Sequence, residues 1–277
     1  MMVGGPVLQA TQAAREAAYT SAVVECQQGH PRRYIESYLK INPAAGMERP
    51  GLVTRFKFMP TQDAMYARTF GAIRGYNEGF KAVIAKSRDV YATSLFMGAL
   101  PFAFAVCNPG VRVLCMIDNE DKFKSVIAPM LRGFYENLDE DEMGVARPKF
   151  VHWDTEVIEF SFVGQGIQAN SFIKFASSKS VNAPRSYKPK LFVFSEAGFA
   201  DRGNEGELYE SVDNAIGVSG WAIFESTANG PAGTFYKRYR AYKEGREMGK
   251  AIFVPFYEDP LKRLAKGSAL YEWHMRD

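Results

Sequence analysis

The strongest constraint on this chain is an alternation that begins after Gly79. Short apolar runs at 80–85, 111–117, 191–194, 221–224 and 251–255 are separated by stretches of helical periodicity at 93–106, 122–137, 205–216 and 233–245. Connections of that length join parallel strands, because a tight turn can only reverse the chain. The runs are apolar at successive positions rather than at every second one, as strands covered on both faces must be. The pattern therefore predicts an open α/β sheet, mainly parallel, with helices on both faces. One region departs from it. Segments 157–163 and 171–175 alternate around Gly164 and Gly166 like a hairpin, which predicts an antiparallel pair inserted in the parallel sheet or added at its edge.

Upstream, 9–27 and 31–41 have helical patterns and a Pro/Gly-marked link follows at 42–51. The chain then divides into a helical appendage outside the main core (1–50), a main α/β domain (51–258) and the start of a linker (259–277). With 277 residues, 47% of them hydrophobic, a sizeable core is available and disorder is not expected. The longest apolar run, 95–107, contains Gly98 and Pro101 and is too short to span a bilayer. Residues 1–10 lack the basic and apolar regions of a signal peptide, so a cytoplasmic location is expected. The formal charge of +3 is too small for a protein that coats nucleic acid by charge alone, so any DNA contact must be local. Cys26, Cys107 and Cys115 have no CxxC spacing and read as reduced, buried thiols. His30, His152 and His274 are isolated, with no triad or metal-ligand spacing around any of them.

In an open α/β sheet ligands bind beyond the carboxyl ends of the strands. Five segments carry candidate chemistry. After the first strand, Lys86 and Arg88 precede a helix whose first turn holds Thr93 and Ser94. Free N–H groups and hydroxyls at such a helix start suit phosphate and Mg²⁺, although an ordinary charged loop has the same look. The strand at 191–194 runs into Ser195 and Glu196, and a carboxylate at a strand tip can orient a water for phosphoryl transfer. Ser226 and Thr227 follow another buried strand and can sense a phosphate or that carboxylate. Gln62, at a helix start, offers a donor and an acceptor that match the edge of adenine. Arg185, on a turn-rich loop, can stabilise transition-state charge in a neighbouring subunit's site. Each has a bland reading, as a solvated charge or a plain loop residue.

Taken together and in this order, these segments resemble the ATPase domain of the large terminase subunit of tailed bacteriophages. The similarity extends over about 53–257. Phe56-Lys57-Phe58-Met59-Pro60-Thr61-Gln62 is similar to the family's adenine motif, and Ser226-Thr227-Ala228-Asn229-Gly230 to its coupling motif. Lys86, Arg88, Thr93 and Ser94 match a deviant Walker A loop, and Ser195-Glu196-Ala197 matches the end of Walker B. The resemblance implies a P-loop ASCE (RecA-like) fold and an ATPase with ATP and Mg²⁺ as nucleotide and metal. Glu196 would be its catalytic carboxylate, and Lys86 or Arg88 the phosphate cation. Arg185 would act in trans, and Thr93 and Ser195 would stand beside the metal. It further implies a homo-oligomeric ring, a pentamer, on the procapsid, with double-stranded DNA, the portal protein and the small terminase subunit as partners in the host cell cytoplasm.

Three positions depart from the family pattern. Ser195 stands where an Asp is usual, Tyr91 where a Gly is usual, and Asp89 where a Gln is usual. The full-length family also carries a C-terminal nuclease, and nuclease activity is not expected of these 277 residues. The basic stretch Lys237, Arg238, Arg240, Lys243 and Arg246 is either a DNA-backbone contact or a solvated helix face. Two other functions fit parts of the pattern. A superfamily 2 helicase or translocase shares the adenine-side Gln and the strand-end Glu but needs a second lobe, and an assembly module would bind nucleotide without turning it over.

Overall fold

The structure is a computed structural model that describes residues 11–41, 53–71, 73, 75–88, 90–118, 120–154, 156–164, 167–200 and 203–259. The link at 42–51 lies outside these, as do Asp89 and all but the first residue of 259–277. In chain order the elements are α1 (Gln12–Gln27), α2 (Arg32–Tyr38), β1 (Lys40–Ile41), β2 (Thr54–Arg55), α3 (Pro60–Phe70), β3 (Phe80–Lys86), α4 (Leu100–Cys107), β4 (Arg112–Ile117), α5 (Glu120–Lys122), α6 (Ala128–Glu136) and α7 (Glu140–Met143). They continue with β5 (Lys149–Trp153), β6 (Val157–Gly164), β7 (Ile167–Ser177), α8 (Ala183–Tyr187), β8 (Leu191–Ser195), α9 (Glu205–Ile216), β9 (Trp221–Thr227), α10 (Gly233–Lys243) and β10 (Lys250–Val254).

The fold is a mixed α/β architecture around an eight-stranded, mostly parallel sheet of order β10-β3-β9-β8-β4-β7-β6-β5. All five predicted parallel strands are present and pair parallel to their neighbours. The antiparallel pair β6/β7 extends the parallel sheet towards one edge, β7 pairing parallel with β4 and β6 continuing antiparallel into the edge strand β5. Strand β5 gives no clear signal in the sequence, because Phe150 and Val151 are adjacent apolar residues that both stay exposed.

Two helices interrupted by proline remain continuous through π-helical turns. Ser94–Ala99 precedes α4 and Phe123–Ile127 precedes α6, with Pro101 and Pro129 one residue into the α-helical part. A proline lacks the N–H for the ordinary bond and its ring crowds the preceding turn. The widened turn accommodates both, the N–H groups of Leu100 and Ala128 reaching back five residues to Leu95 and Phe123.

Alternate residues of the central strands pack on opposite faces. Ile84, Val113, Cys115, Val193, Trp221 and Ile223 face one layer, while Val83, Leu114, Met116, Phe192, Phe194 and Phe224 face the other with Leu208, Tyr209 and Val212 of α9. The first layer also contains Ala22 and Cys26 of α1 and Tyr34, Ile35 and Tyr38 of α2. The expectation that these N-terminal helices stand outside the main core is therefore corrected. Their helical pattern is legible, but α1 is rich in alanine and α2 is only seven residues long, so neither announces a core partner. The sulfur of Cys26 reaches the carbonyl of Ala103 in α4 at 3.6 Å, so α1 is packed directly on the helix that follows β3. All three cysteines are buried and free.

Candidate active site

The parallel strands β3, β8, β9 and β4 end on the same side of the sheet, and a cleft of about 610 Å³ opens there. Its walls include Lys86, Arg88, Tyr91, Thr93, Asp118, Lys122, Glu196 and Thr227. Six of these come from the ends of β3, β8 and β9 or the segments that follow them, so the sheet topology gathers side chains that are more than a hundred positions apart in sequence.

Lys86 is the last residue of β3, and its side chain is only 6% exposed. Its ammonium lies 3.4 Å from Glu196 Oε1 and 3.3 Å from Glu225 Oε2. Burial alone would drive the lysine towards its neutral form, but the two carboxylates outweigh it and hold the ammonium above its ordinary value. Arg88 is exposed at the mouth of the cleft. The two cations thus occupy different depths, Lys86 at the floor and Arg88 at the rim.

The loop that carries them into the next helix is shaped by Tyr91, which takes a left-handed backbone conformation (φ 58°). A glycine adopts this conformation freely, whereas a bulky side chain is strained there. Tyr91 therefore carries local strain in this loop. The Tyr91 carbonyl accepts from Gln62 Nε2 at 3.0 Å and from Ser94 Oγ at 2.9 Å, and Thr61 Oγ donates to the Val90 carbonyl at 3.1 Å. Gln62 is 2% exposed and fully engaged by protein. Its Nε2 also donates to Ser94 Oγ at 2.9 Å, and its Oε1 accepts from the Met59 amide at 2.9 Å. As placed, Gln62 and Ser94 clamp the loop and do not line the cleft. Thr93 keeps its place at the helix start and lines the cleft wall.

Glu196 follows β8 in a left-handed conformation (φ 59°, ψ 37°), a strained geometry that aims the side chain off the strand end. Besides Lys86 it accepts from Thr227 Oγ at 3.4 Å. Ser226 is buried and donates to the Thr227 carbonyl at 2.8 Å. Asn229 Nδ2 donates to the Gly198 carbonyl at 3.0 Å, so the loop after β9 is tied to the loop after β8. A Cβ at Gly198 would stand 2.9 Å from Ser226 Oγ, and the close approach of these two loops depends on its absence. Ser195 is fully buried, below the cleft and not in its wall, and its hydroxyl donates to Glu225 Oε1 at 2.5 Å. Arg185 is exposed on α8 and is not among the residues lining this cleft.

Sequence reasoning passed over Glu225. It is fully buried on β9 between β3 and β8, and burial raises its pKa above the usual glutamate value, partly offset by Lys86 and Ser195. The signal was available, an acidic residue inside an otherwise apolar strand. Its meaning needed the strand order. Asp118, which accepts from Ser178 Oγ at 3.2 Å, and Lys122 were also missed, because neither lies next to a recognisable motif.

The donor set fits a Mg²⁺ carried on a nucleotide. Thr93 offers a hydroxyl in the cleft wall, and among the described residues no three His, Cys, Asp or Glu side chains group to hold an ion. An ion that draws its ligands mainly from water and phosphate does not require such a group.

On the other face of the sheet, Arg238 of α10 reaches inward to Asp213 of α9 at 3.1 and 2.7 Å and lies over the Tyr209 ring at 4.9 Å. Lys81 of β3 joins the same carboxylate at 2.6 Å. Arg238 is therefore a packing residue and is removed from the basic stretch proposed to meet either DNA or solvent. Lys237, Arg240, Lys243 and Arg246 remain exposed, with Arg240 and Arg246 paired to Glu244.

The fold is that of the ATPase domain of phage large terminases. The ATPase domain of the Thermus phage P74-26 large terminase superposes with a TM-score of 0.50 at 14% identity, over 75% of this chain and 85% of that one. A singly substituted form of the same domain gives 0.50 at 15% identity over the same shares. The HK97 bacteriophage large terminase superposes with a TM-score of 0.57 at 13% identity over 93% of this chain, which spans 51% of that protein. No protein-family model and no curated protein matches the sequence. Among the described residues no helix is long and apolar enough to cross a membrane.

Proposed function

We propose that this chain is the ATP-hydrolysing motor domain of a viral DNA-packaging terminase, coupling hydrolysis to translocation of double-stranded DNA into a procapsid. The observation that carries the reading is the convergence of Lys86, Thr93, Glu196 and Thr227 on one cleft at the carboxyl ends of β3, β8 and β9. The shared fold with phage terminase ATPase domains supports it.

Lys86 neutralises phosphate oxygens at the floor of the cleft and Arg88 does so at its rim. Both are needed in this reading, since phosphoryl transfer draws its acceleration from positioning and charge stabilisation. Thr93 would stand beside the Mg²⁺, which when bound supplies further charge neutralisation on the phosphates, whereas Ser195, expected from the sequence to stand there too, is buried below the cleft with its hydroxyl on Glu225. Glu196 accepts a proton from the water that attacks the γ-phosphoryl in line, and the bond to the bridging β-phosphate oxygen breaks. In the structure Glu196 is engaged by Lys86 and Thr227. Phosphate competes for Lys86 and so frees Glu196 for water, while the Thr227 contact carries the change into the loop after β9. Arg185 of a neighbouring subunit completes the site in a homo-oligomeric ring, a pentamer. The portal protein and the small terminase subunit are its packaging partners in the host cytoplasm. Gln62 enters as the clamp on the loop, and it reads adenine only if Met59 and Ser94 release its amide.

The test is Mg²⁺-dependent ATP turnover as a function of protein concentration, for the wild type, Glu196→Ala and Arg185→Ala. Turnover that rises faster than linearly and is lost in both variants is expected. A wild type that binds ATP and never turns it over, even with DNA and the other packaging components, sinks the motor reading in favour of an assembly module.

A further inference from the structure

The unusual feature of this site is where its second carboxylate stands. At the tip of β8, where the resembling family places an acidic pair, this chain has Ser195 followed by Glu196. One strand away, Glu225 is the register partner of Ser195, and on its other side it is the register partner of Ile84 of β3. Strand residues directly opposite one another project from the same face of a sheet. Ile84 and Ile223 confirm the face, since both belong to the core layer that contains α4. Lys86, two residues after Ile84, projects from that face as well. Ser195, Glu225 and Lys86 are thus three neighbours across three adjacent strands.

A fully buried carboxylate in the middle of a parallel sheet is strongly disfavoured unless a partner compensates it. Glu225 has two partners, and both belong to the candidate site. Oε1 takes the Ser195 hydroxyl at 2.5 Å, and Oε2 faces the Lys86 ammonium at 3.3 Å without the geometry of a hydrogen bond. An interior apolar residue would pack in this strand at less cost, so a carboxylate here is better explained by what it holds than by stability.

The geometry points to Glu225 as a positioning residue that supplies, from β9, the carboxylate that β8 lacks at Ser195. It fixes the Lys86 ammonium at the floor of the cleft and the Ser195 hydroxyl beside it. In consequence the acidic pair of this site is Glu196 with Glu225, split over two strands, and Ser195 is the spacer that lets them be so. The mechanistic meaning rests on the ATPase reading, whereas the anchoring of Lys86 does not.

The test compares the wild type, Glu225→Gln, and the double variant Glu225→Gln with Ser195→Asp, which moves the charge back across the strand pair. The first readout is the rate at which Lys86 is acetylated by acetic anhydride, measured by mass spectrometry against the exposed Lys237 and Lys243. The second is the affinity for a fluorescent ATP analogue with Mg²⁺. In Glu225→Gln, Lys86 is expected to react about tenfold faster, the scale of one ion pair lost from a buried lysine. Analogue affinity should fall in the same variant, and the double variant should return both towards wild type. An unchanged Lys86 rate in Glu225→Gln, or a fast rate that the double variant does not reverse, overturns the inference. Should Glu225→Gln fail to fold, the double variant decides: folded protein with a protected Lys86 supports the assignment, and failure to fold refutes it. A wild type that does not bind the analogue refutes the ATPase reading alone, because the acetylation rates still report whether Glu225 holds Lys86.

Discussion

Replacing Lys86 with Met tests the buried charge arrangement most directly. The substitution keeps the unbranched stem and removes the ammonium that faces Glu225 at 3.3 Å, leaving a fully buried carboxylate with the Ser195 hydroxyl as its compensating partner. Breaking a buried pair in this way typically costs about 3–5 kcal/mol when the stranded charge persists. Glu225 can avoid part of that penalty by binding a proton, which makes the loss depend on pH. Burial already raises its folded value above the usual 4.5, and removing Lys86 raises it further. A group with a raised folded value contributes stability that is complete below the unfolded value and is lost as pH rises through the folded one. Between the two values the loss accrues at about 1.4 kcal/mol per pH unit. Lys86 itself titrates far above this window. The variant is therefore expected to be about 1 kcal/mol less stable than wild type at pH 5 and about 3–4 kcal/mol less stable at pH 8. Urea denaturation followed by circular dichroism at both pH values measures the difference. A penalty that is equal at pH 5 and pH 8, or absent at pH 8, would show that Glu225 does not depend on Lys86 for its charge.

Three further outcomes are expected. Glu196→Gln should lower ATP turnover at least about a hundredfold with little change in nucleotide affinity, and steady-state kinetics with a binding titration would expose a turnover that survives. Gln62→Ala removes three hydrogen bonds from a buried amide and should destabilise the protein by about 2–3 kcal/mol while weakening nucleotide binding; an unchanged melting temperature would mean that the loop clamp does not exist. Arg238→Ala breaks the two-pronged contact with Asp213, which is partly screened by solvent, and should cost about 2 kcal/mol at pH 7. Burial opposes the ionised Asp213, but Arg238 and Lys81 outweigh it and lower its folded value, so their contribution is present above the unfolded value and lost as pH falls through the folded one. The gap between Arg238→Ala and wild type should accordingly shrink in denaturation curves taken at pH 3.

The sequence by itself determined the sheet and most of its helices. Five strands were legible because residues covered on both faces must be apolar at every position, and that demand leaves unbroken runs. The helices following β3 and β4 were legible through Pro101 and Pro129 because a π-helical turn absorbs each proline without ending the periodic pattern. Lys86, Thr93, Glu196 and Thr227 could be picked out because strand ends are where such a fold places its chemistry, and the structure does bring these four to one cleft.

Tertiary structure decided the rest. Whether α1 and α2 joined the core depended on the surface that α4 presents to them, which no local pattern encodes. Gln62 has the composition of an adenine contact, yet its amide is taken by Met59, Tyr91 and Ser94, and only their placement reveals it. Arg238 looked like one of five equivalent cations until its helix was packed against Asp213. Glu225 shows the limit most clearly. In sequence it is a glutamate near the end of an apolar run; its partners, Ser195 and Lys86, are supplied by strands that become its neighbours only when β9 is inserted between β3 and β8. Local patterns record what each residue must bury, whereas the compensation of a buried charge is a relation between strands distant in sequence, and strand order alone fixes it.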